Sequence, residues 1–365
     1  MLKTIQTILD ETPEQRKILI NTMKTMTHAQ NYVVGSCYEH EDCNCFRMHK
    51  FVYHQIRKKY KLPAQLTIVV NKYGCASVKI AIQRKGKRPK FKGTSIHYDK
   101  RSSNINLMEN MVSLLTLNSR IKVSVKIPKY FKRYLDWDIK ESNLVLCKDG
   151  KFRLMISIER NFTPSDKTGK IIGVDRGINN LIATSKGWLV DGHPIFKIKK
   201  HYVKLRSSLQ SKDTRSAKRH FKKVSGKEKR FMRDVNHCLS KKLINEAGEN
   251  GVIVLESLKG IRNARHRRKQ NWLFSNWAFY QFQQFLEYKG EEASVSIEYV
   301  SARNTSKMCS VCGSLRRGQR NGEIFKCKAC KASLHADINA SFNILHRYTS
   351  TYGLSVNQPI APLSG

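Results

Sequence analysis

Residues 305–345 read TSKMCSVCGSLRRGQRNGEIFKCKACKASLHADINASFNIL. Two CxxC pairs, Cys309/Cys312 and Cys327/Cys330, stand fourteen residues apart, and four thiolates at that spacing can close a tetrahedral zinc site. Beyond them Ala336, Ala340 and Ile344 mark one face of a helix, with Asp337 at its start. A carboxylate set rigidly behind such a knot is well placed to hold a second metal of the hard, oxygen-seeking kind. Arg316, Arg317 and Arg320, between the pairs, suit contact with phosphate.

Two acids further upstream could complete that second site. IIGVD (171–175) and GVIVLES (251–257) are short apolar runs that read as buried strands ending in Asp175 and Glu256. Desolvating a carboxylate is costly unless a cation or a donor meets it, so packing alone seldom puts one there. A surface acid at a strand exit explains either case singly, but not the recurrence in a chain with 28 acids against 68 Lys+Arg. Three converging carboxylates suit two Mg²⁺ or Mn²⁺ ions that share a scissile phosphate. The chemistry predicted is phosphodiester hydrolysis without a covalent enzyme intermediate. No GxSxG elbow or P-loop competes with it.

The formal charge of +40 over 365 residues repels itself in a compact fold unless a polyanion neutralises it, and nucleic acid is the natural partner. Ten cysteines in a long basic chain fit a reducing compartment better than a disulfide scaffold. The opening MLKTIQTILDETPEQ has no apolar core of signal-peptide length, and no run approaches a membrane span, so no membrane partner is expected. A second cysteine group, Cys37, His40, Cys43 and Cys45, has CxxHxxCxC spacing that could bind a metal, although Cys43 and Cys45 are close for one tetrahedral centre.

Residues 1–9 alternate weakly as a strand would. Thr12-Pro13-Glu14-Gln15 then starts a helix with a capping box, followed by Leu19, Met23, Met26 and Val33 on one face. A second helix is expected over 45–60, with Met48, Val52 and Ile56 inward, while residues 64–82 fit strand or helix. RKGKRPKFKG (84–93) is a basic loop. Period-two runs follow to Phe162, with a hairpin turn at Asp149-Gly150, and they predict a small antiparallel sheet or barrel with a helical insertion. NFTPSDKTGK (161–170) is a linker. Residues 197–233 carry fifteen Lys/Arg and only two acids, which predicts a long exposed helical hairpin suited to a nucleic-acid groove. NWLFSNWAFYQFQQFLEYKG (271–290) reads as an aromatic helix with core packing, and 294–300 as another strand. The stretch after Arg347 has no clear pattern.

GVDRGINNLIATS, VIVLESLKGIR and TSKMCSVCG…CKAC…HADINASFNIL, in that order, resemble the TnpB (OrfB) proteins of transposons, RNA-guided nucleases related to compact type V CRISPR effectors. The resemblance is close over roughly residues 170–346 and one of layout only over 1–165. It implies a multidomain α+β chain. A wedge-like β-barrel would occupy residues 1–10 and 92–165, and a helical recognition insertion 11–91. A RuvC-like nuclease domain of RNase H fold would occupy 166–347, with a zinc ribbon at 305–334 inserted in it, and 348–365 would be a disordered tail. Asp175, Glu256 and Asp337 fall on the family's three catalytic acids, and the four cysteines on its zinc-binding target-nucleic-acid insert. HADINAS departs from the HxRDxNAA of many relatives but keeps Asp337.

The family's activity implies a guide RNA from the transposon end and double-stranded target DNA cut beside a short adjacent motif, in the cytoplasm of a prokaryotic cell at its nucleoid. Lys218, Arg219, Lys222 and Lys223 in the basic hairpin, with Arg262, Arg265, Arg267 and Arg268, are candidates for contact with guide or heteroduplex backbone. Arg316 and Arg317 are candidates in the ribbon. Two alternatives stay open: a guided DNA-binding regulator without useful cleavage, and an unguided structure-selective RuvC-like nuclease.

Overall fold

Thr12 begins the first helix as its chemistry dictates. Its hydroxyl accepts the Gln15 N–H at 3.3 Å, and the Gln15 side chain accepts the Thr12 N–H at 3.0 Å. That capping box follows strand β1 (Leu2–Asp10) and opens helix α1 (Pro13–Glu39), which buries Leu19, Met23, Met26 and Val33. The computed structural model describes residues 1–257 and 279–352 of the chain. The chain divides into two units, Met1–Asn161 and Phe162–Gly365, and the break falls at the start of the expected linker.

In the first unit, α2 (Cys45–Tyr60) is capped by Asn44 and buries Met48, Val52 and Ile56. The ambiguous stretch is helix α3 (Ala64–Gln83). Its β-branched run favours a strand locally, but Leu66, Val69, Val70 and Val78 recur at helical spacing and are buried. A Cβ at Gly74 would lie 2.6 Å from Val33, so α1 and α3 approach at a point where only glycine fits.

Strands β2 (Ser95–Tyr98), β3 (Ser103–Asn106), β4 (Met111–Leu115), β5 (Arg120–Lys126), β6 (Asp138–Leu146) and β7 (Phe152–Glu159) join β1 in one antiparallel sheet, ordered β2-β6-β7-β1-β5-β4-β3. Asp149-Gly150 forms the expected turn between β6 and β7, with Gly150 at φ +78°. The edge strands β2 and β3 are consecutive in the chain, and the connection between them reaches at most about 18 Å. A flat seven-stranded sheet would be roughly 29 Å wide, so this one is rolled. Its ladder stays open between β2 and β3, and Ser103 Oγ of β3 lies 3.4 Å from Ser142 Oγ of β6.

The second unit is built on β8 (Ile171–Asp175), β9 (Asn180–Thr184), β10 (Leu189–Asp191), β11 (Val252–Glu256) and β12 (Ser296–Val300), in the order β10-β9-β8-β11-β12. β8, β11 and β12 run parallel, and β9 is antiparallel to both its neighbours. Between β10 and β11 lie α4 (His193–Ser211) and α5 (Arg215–Ala247), and before β12 lies α6 (Phe279–Glu292). Ile172, Val174, Ile253 and Leu255 point to the face covered by α5 and α6, against Leu243, Phe282 and Leu286. Full burial of such side chains stabilises by about 1.5–3 kcal/mol each. Phe279 and Phe282 of α6 are thus core, whereas Phe285 and Tyr288 are half-buried and Tyr280 is exposed, and residues 271–278 of the expected aromatic helix lie outside the described residues.

A small antiparallel sheet follows β12, formed by β13 (Arg320–Asn321), β14 (Ile324–Lys326) and β15 (Ser333–His335). It leads into α7 (Ala336–Thr351), which covers the other face of the large sheet, where Val252 and Val254 meet Ile344 and Tyr348. α7 runs past residue 347, where the sequence pattern ended the domain. Tyr348 and Thr349 are buried, so the helix keeps an inward face for one more turn. Residues 353–365 of the expected disordered tail lie outside the described residues.

Candidate active site and cysteine centre

Strand alternation and register bring two of the acids together. Val174 pairs with Leu255 across β8 and β11, so Asp175 and Glu256 stand abreast at the carboxyl ends of adjacent parallel strands. Residues 171, 252 and 254 face α7, and alternation turns 175 and 256 to the same side. The position between is Gly173, where an added Cβ would lie 2.2 Å from the Ser341 carbonyl oxygen. α7 therefore lies directly on β8, and its first turn carries Asp337, 7% exposed, over the strand ends. His335 caps this turn, its Nδ1 accepting the Asp337 N–H at 3.2 Å.

Each acid is met by polar groups. Asn180 Nδ2, from β9, donates to Asp337 Oδ2 at 2.9 Å, and Arg320 Nη2 donates to Asp337 Oδ1 at 2.8 Å. The Thr305 hydroxyl donates to Glu256 Oε1, and Arg176 Nη2 donates to the Glu256 backbone carbonyl. Burial, then the charges of Glu256 and Asp337, push the Asp175 carboxyl up to about 8, and Arg320 and Arg176 only partly offset this. Burial also raises Glu256, against the Thr305 hydrogen bond and the charges of Arg176 and Arg347. Arg176 is itself buried, and its Nε and Nη1 have no hydrogen-bond partner. The site is an all-oxygen donor set with mutually repelling carboxylates, and this is the environment that a hard divalent cation relieves.

The four cysteines converge as their spacing predicts. Their sulfur atoms all lie within 4.8 Å of one another, with Cys309–Cys330 at 3.7 Å and Cys312–Cys327 at 3.5 Å. Metal–sulfur bonds of about 2.3 Å give a tetrahedron with edges of about 3.8 Å, which these separations match. Burial opposes ionisation of Cys327, but the N–H groups of Cys330 and Ala329 and the neighbouring thiols outweigh it, bringing that thiol down to about 6. Cys309, Phe325, Cys327 and Ala336 form one apolar cluster, so the cysteine module packs on the residue next to Asp337.

Among the described residues no second His/Cys/Asp/Glu group closes to that spacing. The expected Cys37, His40, Cys43, Cys45 centre does not assemble. Cys37 is buried with its sulfur 3.7 Å from Cys75 of α3, and His40 stacks on Phe51 at 4.6 Å.

The basic residues divide. Lys218, Arg219, Lys222 and Lys223 are exposed on α5, with Lys218 paired to Asp213 at 2.7 Å. Arg316 and Arg317 are exposed in the ribbon, whereas Arg320 turns inward to Asp337 rather than outward to phosphate. Arg262, Arg265, Arg267 and Arg268 lie outside the described residues. The hairpin of α4 and α5 is less exposed than its charge density predicts. Lys199 and Glu228 are buried, and Arg206 pairs with Glu228.

Asn180, Thr305 and Arg176 lie within the stretches that carry the family resemblance, but nothing in their local pattern marks them as partners of the acids. Only the amide in GINN, at the start of the apolar run LIA, could have suggested a buried partner.

Two family descriptions match the chain: a probable transposase family, OrfB of IS605 type, over residues 153–262, and the Cas12f1-like TNB domain over 279–344. A TnpB-like protein of Methanocaldococcus jannaschii is 29% identical over 228 residues, which cover 60% of this chain and 70% of the relative. A CRISPR-associated endodeoxyribonuclease Cas12f1 of Sulfoacidibacillus thermotolerans is 28% identical over 222 residues, covering 55% of this chain and 51% of that protein. This chain therefore aligns with about half the length of the second relative.

Among solved structures, a Cas12f1–sgRNA–target DNA complex aligns with a TM-score of 0.58 at 16% identity, covering 91% of this chain and 83% of that one. The mini RNA-guided endonuclease Cas phi3 aligns at 0.58 and 11% identity, covering 99% and 93%. At such identities the likeness is one of fold.

Proposed function

Because the chain belongs to the TnpB (OrfB) family, related to the compact type V effectors, we propose that it is an RNA-guided DNA endonuclease of a transposable element. The observation that carries this reading is the convergence of Asp175, Glu256 and Asp337 on one face of the sheet, with the Asp175 carboxyl pushed up to about 8. The carboxyl ends of parallel strands are where open α/β sheets place their ligand sites.

Asp175, Glu256 and Asp337 would hold two Mg²⁺ or Mn²⁺ ions, which supply an activated water and charge stabilisation at the leaving 3′ oxygen. Asn180 fixes the rotation of the Asp337 carboxylate, and Arg320 supplies positive charge to its other oxygen. The four cysteines would hold one Zn²⁺ as a structural ion that keeps the ribbon, and through Ala336 the start of α7, in place. In this reading the first unit is the wedge-like barrel with its recognition helices, and the second is the RuvC-like nuclease.

Guide RNA from the transposon end would read the target by base pairing, while the protein holds backbone beside a short duplex motif. The exposed lysines and arginines of α5 and the ribbon are the surfaces for that backbone. Among the described residues no helix is long and apolar enough to cross a membrane, and the proposed setting is the nucleoid of a prokaryotic cell. The second reading, a guided binder without useful cleavage, is favoured by one observation. Both oxygens of Asp337 are engaged, by Arg320 and Asn180.

One assay separates the two. The protein is purified with its RNA, the RNA is sequenced, and a plasmid carrying the matching target is incubated in Mg²⁺ with wild type and D175A. Endonuclease function predicts cleavage by wild type, none by D175A, and equal RNA content in both. Cleavage by D175A would sink the assignment of the acids, and target binding without cleavage by wild type would select the second reading.

A further inference from the structure

Thr305 stands at the root of the cysteine module, where the chain is tied down from several sides. Its carbonyl accepts from Asn343 Nδ2 at 2.7 Å, and Asn343 also donates to the Met308 carbonyl at 2.7 Å. One turn earlier on α7, Asn339 donates to the same Met308 carbonyl at 2.8 Å and accepts the Ser310 N–H at 2.9 Å. Both asparagines are fully buried, so these hydrogen bonds are made where an unmet polar group would be costly. The segment from Thr305 to Ser310 is in this way stitched to the helix that carries Asp337.

The Thr305 side chain turns away from that seam. It is 1% exposed, and its hydroxyl reaches Glu256 Oε1, with the Ala302 carbonyl oxygen 3.1 Å from it. A hydroxyl has one proton to give, and a carboxylate is the stronger acceptor, so the bond goes to Glu256. Arg176 and Arg347 act on the Glu256 carboxylate through charge. A glutamate at a strand end keeps several rotatable bonds, and charge alone does not choose its rotamer, whereas a hydrogen bond from a fixed, buried donor does.

We propose that Thr305 is a positioning residue whose hydroxyl holds Glu256 in the orientation that shares divalent cations with Asp175 and Asp337. The root of the cysteine ribbon thereby sets the geometry of an acid 49 residues upstream. The inference rests on the reading of the three acids as a metal centre. A purely structural alternative exists, in which a threonine is needed there only to fill space. The two differ in which half of the side chain matters. Valine keeps the shape and loses the hydroxyl, while serine keeps the hydroxyl and loses the methyl group.

The test uses the full chain with its zinc. Mn²⁺ binding is measured by electron paramagnetic resonance for wild type, T305V, T305S and D175N, with zinc content and thermal midpoint recorded for each. A hydrogen bond to a charged group corresponds to about a tenfold to hundredfold change in affinity, so T305V should bind Mn²⁺ weaker by that factor at unchanged zinc content. T305S should stay within about threefold of wild type on the same scale. If T305V does not fold, T305A also lacks the hydroxyl without added bulk and carries the same expectation. Wild-type Mn²⁺ affinity in T305V, or a T305S defect as large as that of T305V, would overturn the assignment while leaving the metal centre standing. Absence of Mn²⁺ binding by wild type would overturn both readings.

Discussion

Replacing Asp175 by asparagine should make the protein more stable in buffers free of Mg²⁺ and Mn²⁺, and the gain should grow as the pH rises. Burial, with the charges of Glu256 and Asp337, pushes the Asp175 carboxyl up to about 8, against about 3.9 in an unfolded chain. The folded state therefore binds a proton that the unfolded state has released. Stability present below about pH 4 is lost steadily as the pH climbs through the window from about 3.9 to about 8. At about 1.36 kcal/mol per pH unit, the deficit is about 1.5 kcal/mol at pH 5 and about 4 kcal/mol at pH 7. Asparagine, neutral and of the same shape, has no such deficit.

For a unit of this size each kcal/mol moves the thermal midpoint by about 2–4 °C. D175N should then exceed wild type by roughly 8–16 °C at pH 7 and by a few degrees at pH 5. Thermal unfolding of the pair across pH 5, 6 and 7 reads this, because titrating groups away from the cluster are common to both proteins and cancel in the difference, while Glu256 and Asp337 answer to the same lost charge. Mg²⁺ should narrow the gap by stabilising wild type alone. A difference that stays flat from pH 5 to pH 7 would refute the picture of a buried, mutually repelling carboxylate cluster.

Two further outcomes follow from the packing. G173A places a Cβ 2.2 Å from the Ser341 carbonyl oxygen and 2.9 Å from the Leu345 nitrogen, so α7 must move outward. Stability should fall by about 2–3 kcal/mol, with loss of Mn²⁺ binding, and denaturant unfolding at the wild-type midpoint would contradict the close approach. C309S or C330S should lose zinc and, because Ala336 packs in the same cluster as Cys309, weaken Mn²⁺ binding as well. Full zinc content in both variants would rule out the four-cysteine centre.

What could be read in the sequence was local. The Thr12 capping box and the stripes of α1 and α2 need only neighbours three and four residues away, and the CxxC pairs are each closed by a single turn. α3 was ambiguous because its β-branched run and its helical spacing disagree, and only packing against α1 and α2 decides between them. The acids were legible because a carboxylate at the end of an apolar run is a local anomaly. Their partners were not. Asn180 meets Asp337 across 157 positions, and Thr305 meets Glu256 across 49. Arg320 was expected to face phosphate with Arg316 and Arg317, but the return of the ribbon onto α7 carries it to Asp337. The cysteine group near residue 40 failed for the same reason, since Cys37 takes its partner from α3.

Gly173 and Asp175 belong to one constraint. Alternation places both on the face under α7, and the helix can descend far enough to bring Asp337 over the strand ends only where the strand has no side chain. The closeness that assembles the three acids also strips water from them, and this raises Asp175 in a chain whose formal charge is +40. Among the described residues, Arg320 and Arg176 lower Asp175, and burial outweighs them both. Arg176 gives one nitrogen to the Glu256 carbonyl and leaves two unpaired, so it cannot satisfy the cluster by hydrogen bonds. Among the described residues the site is therefore short of positive charge inside a strongly basic protein, and the divalent cations proposed above would supply it with no side chain to accommodate.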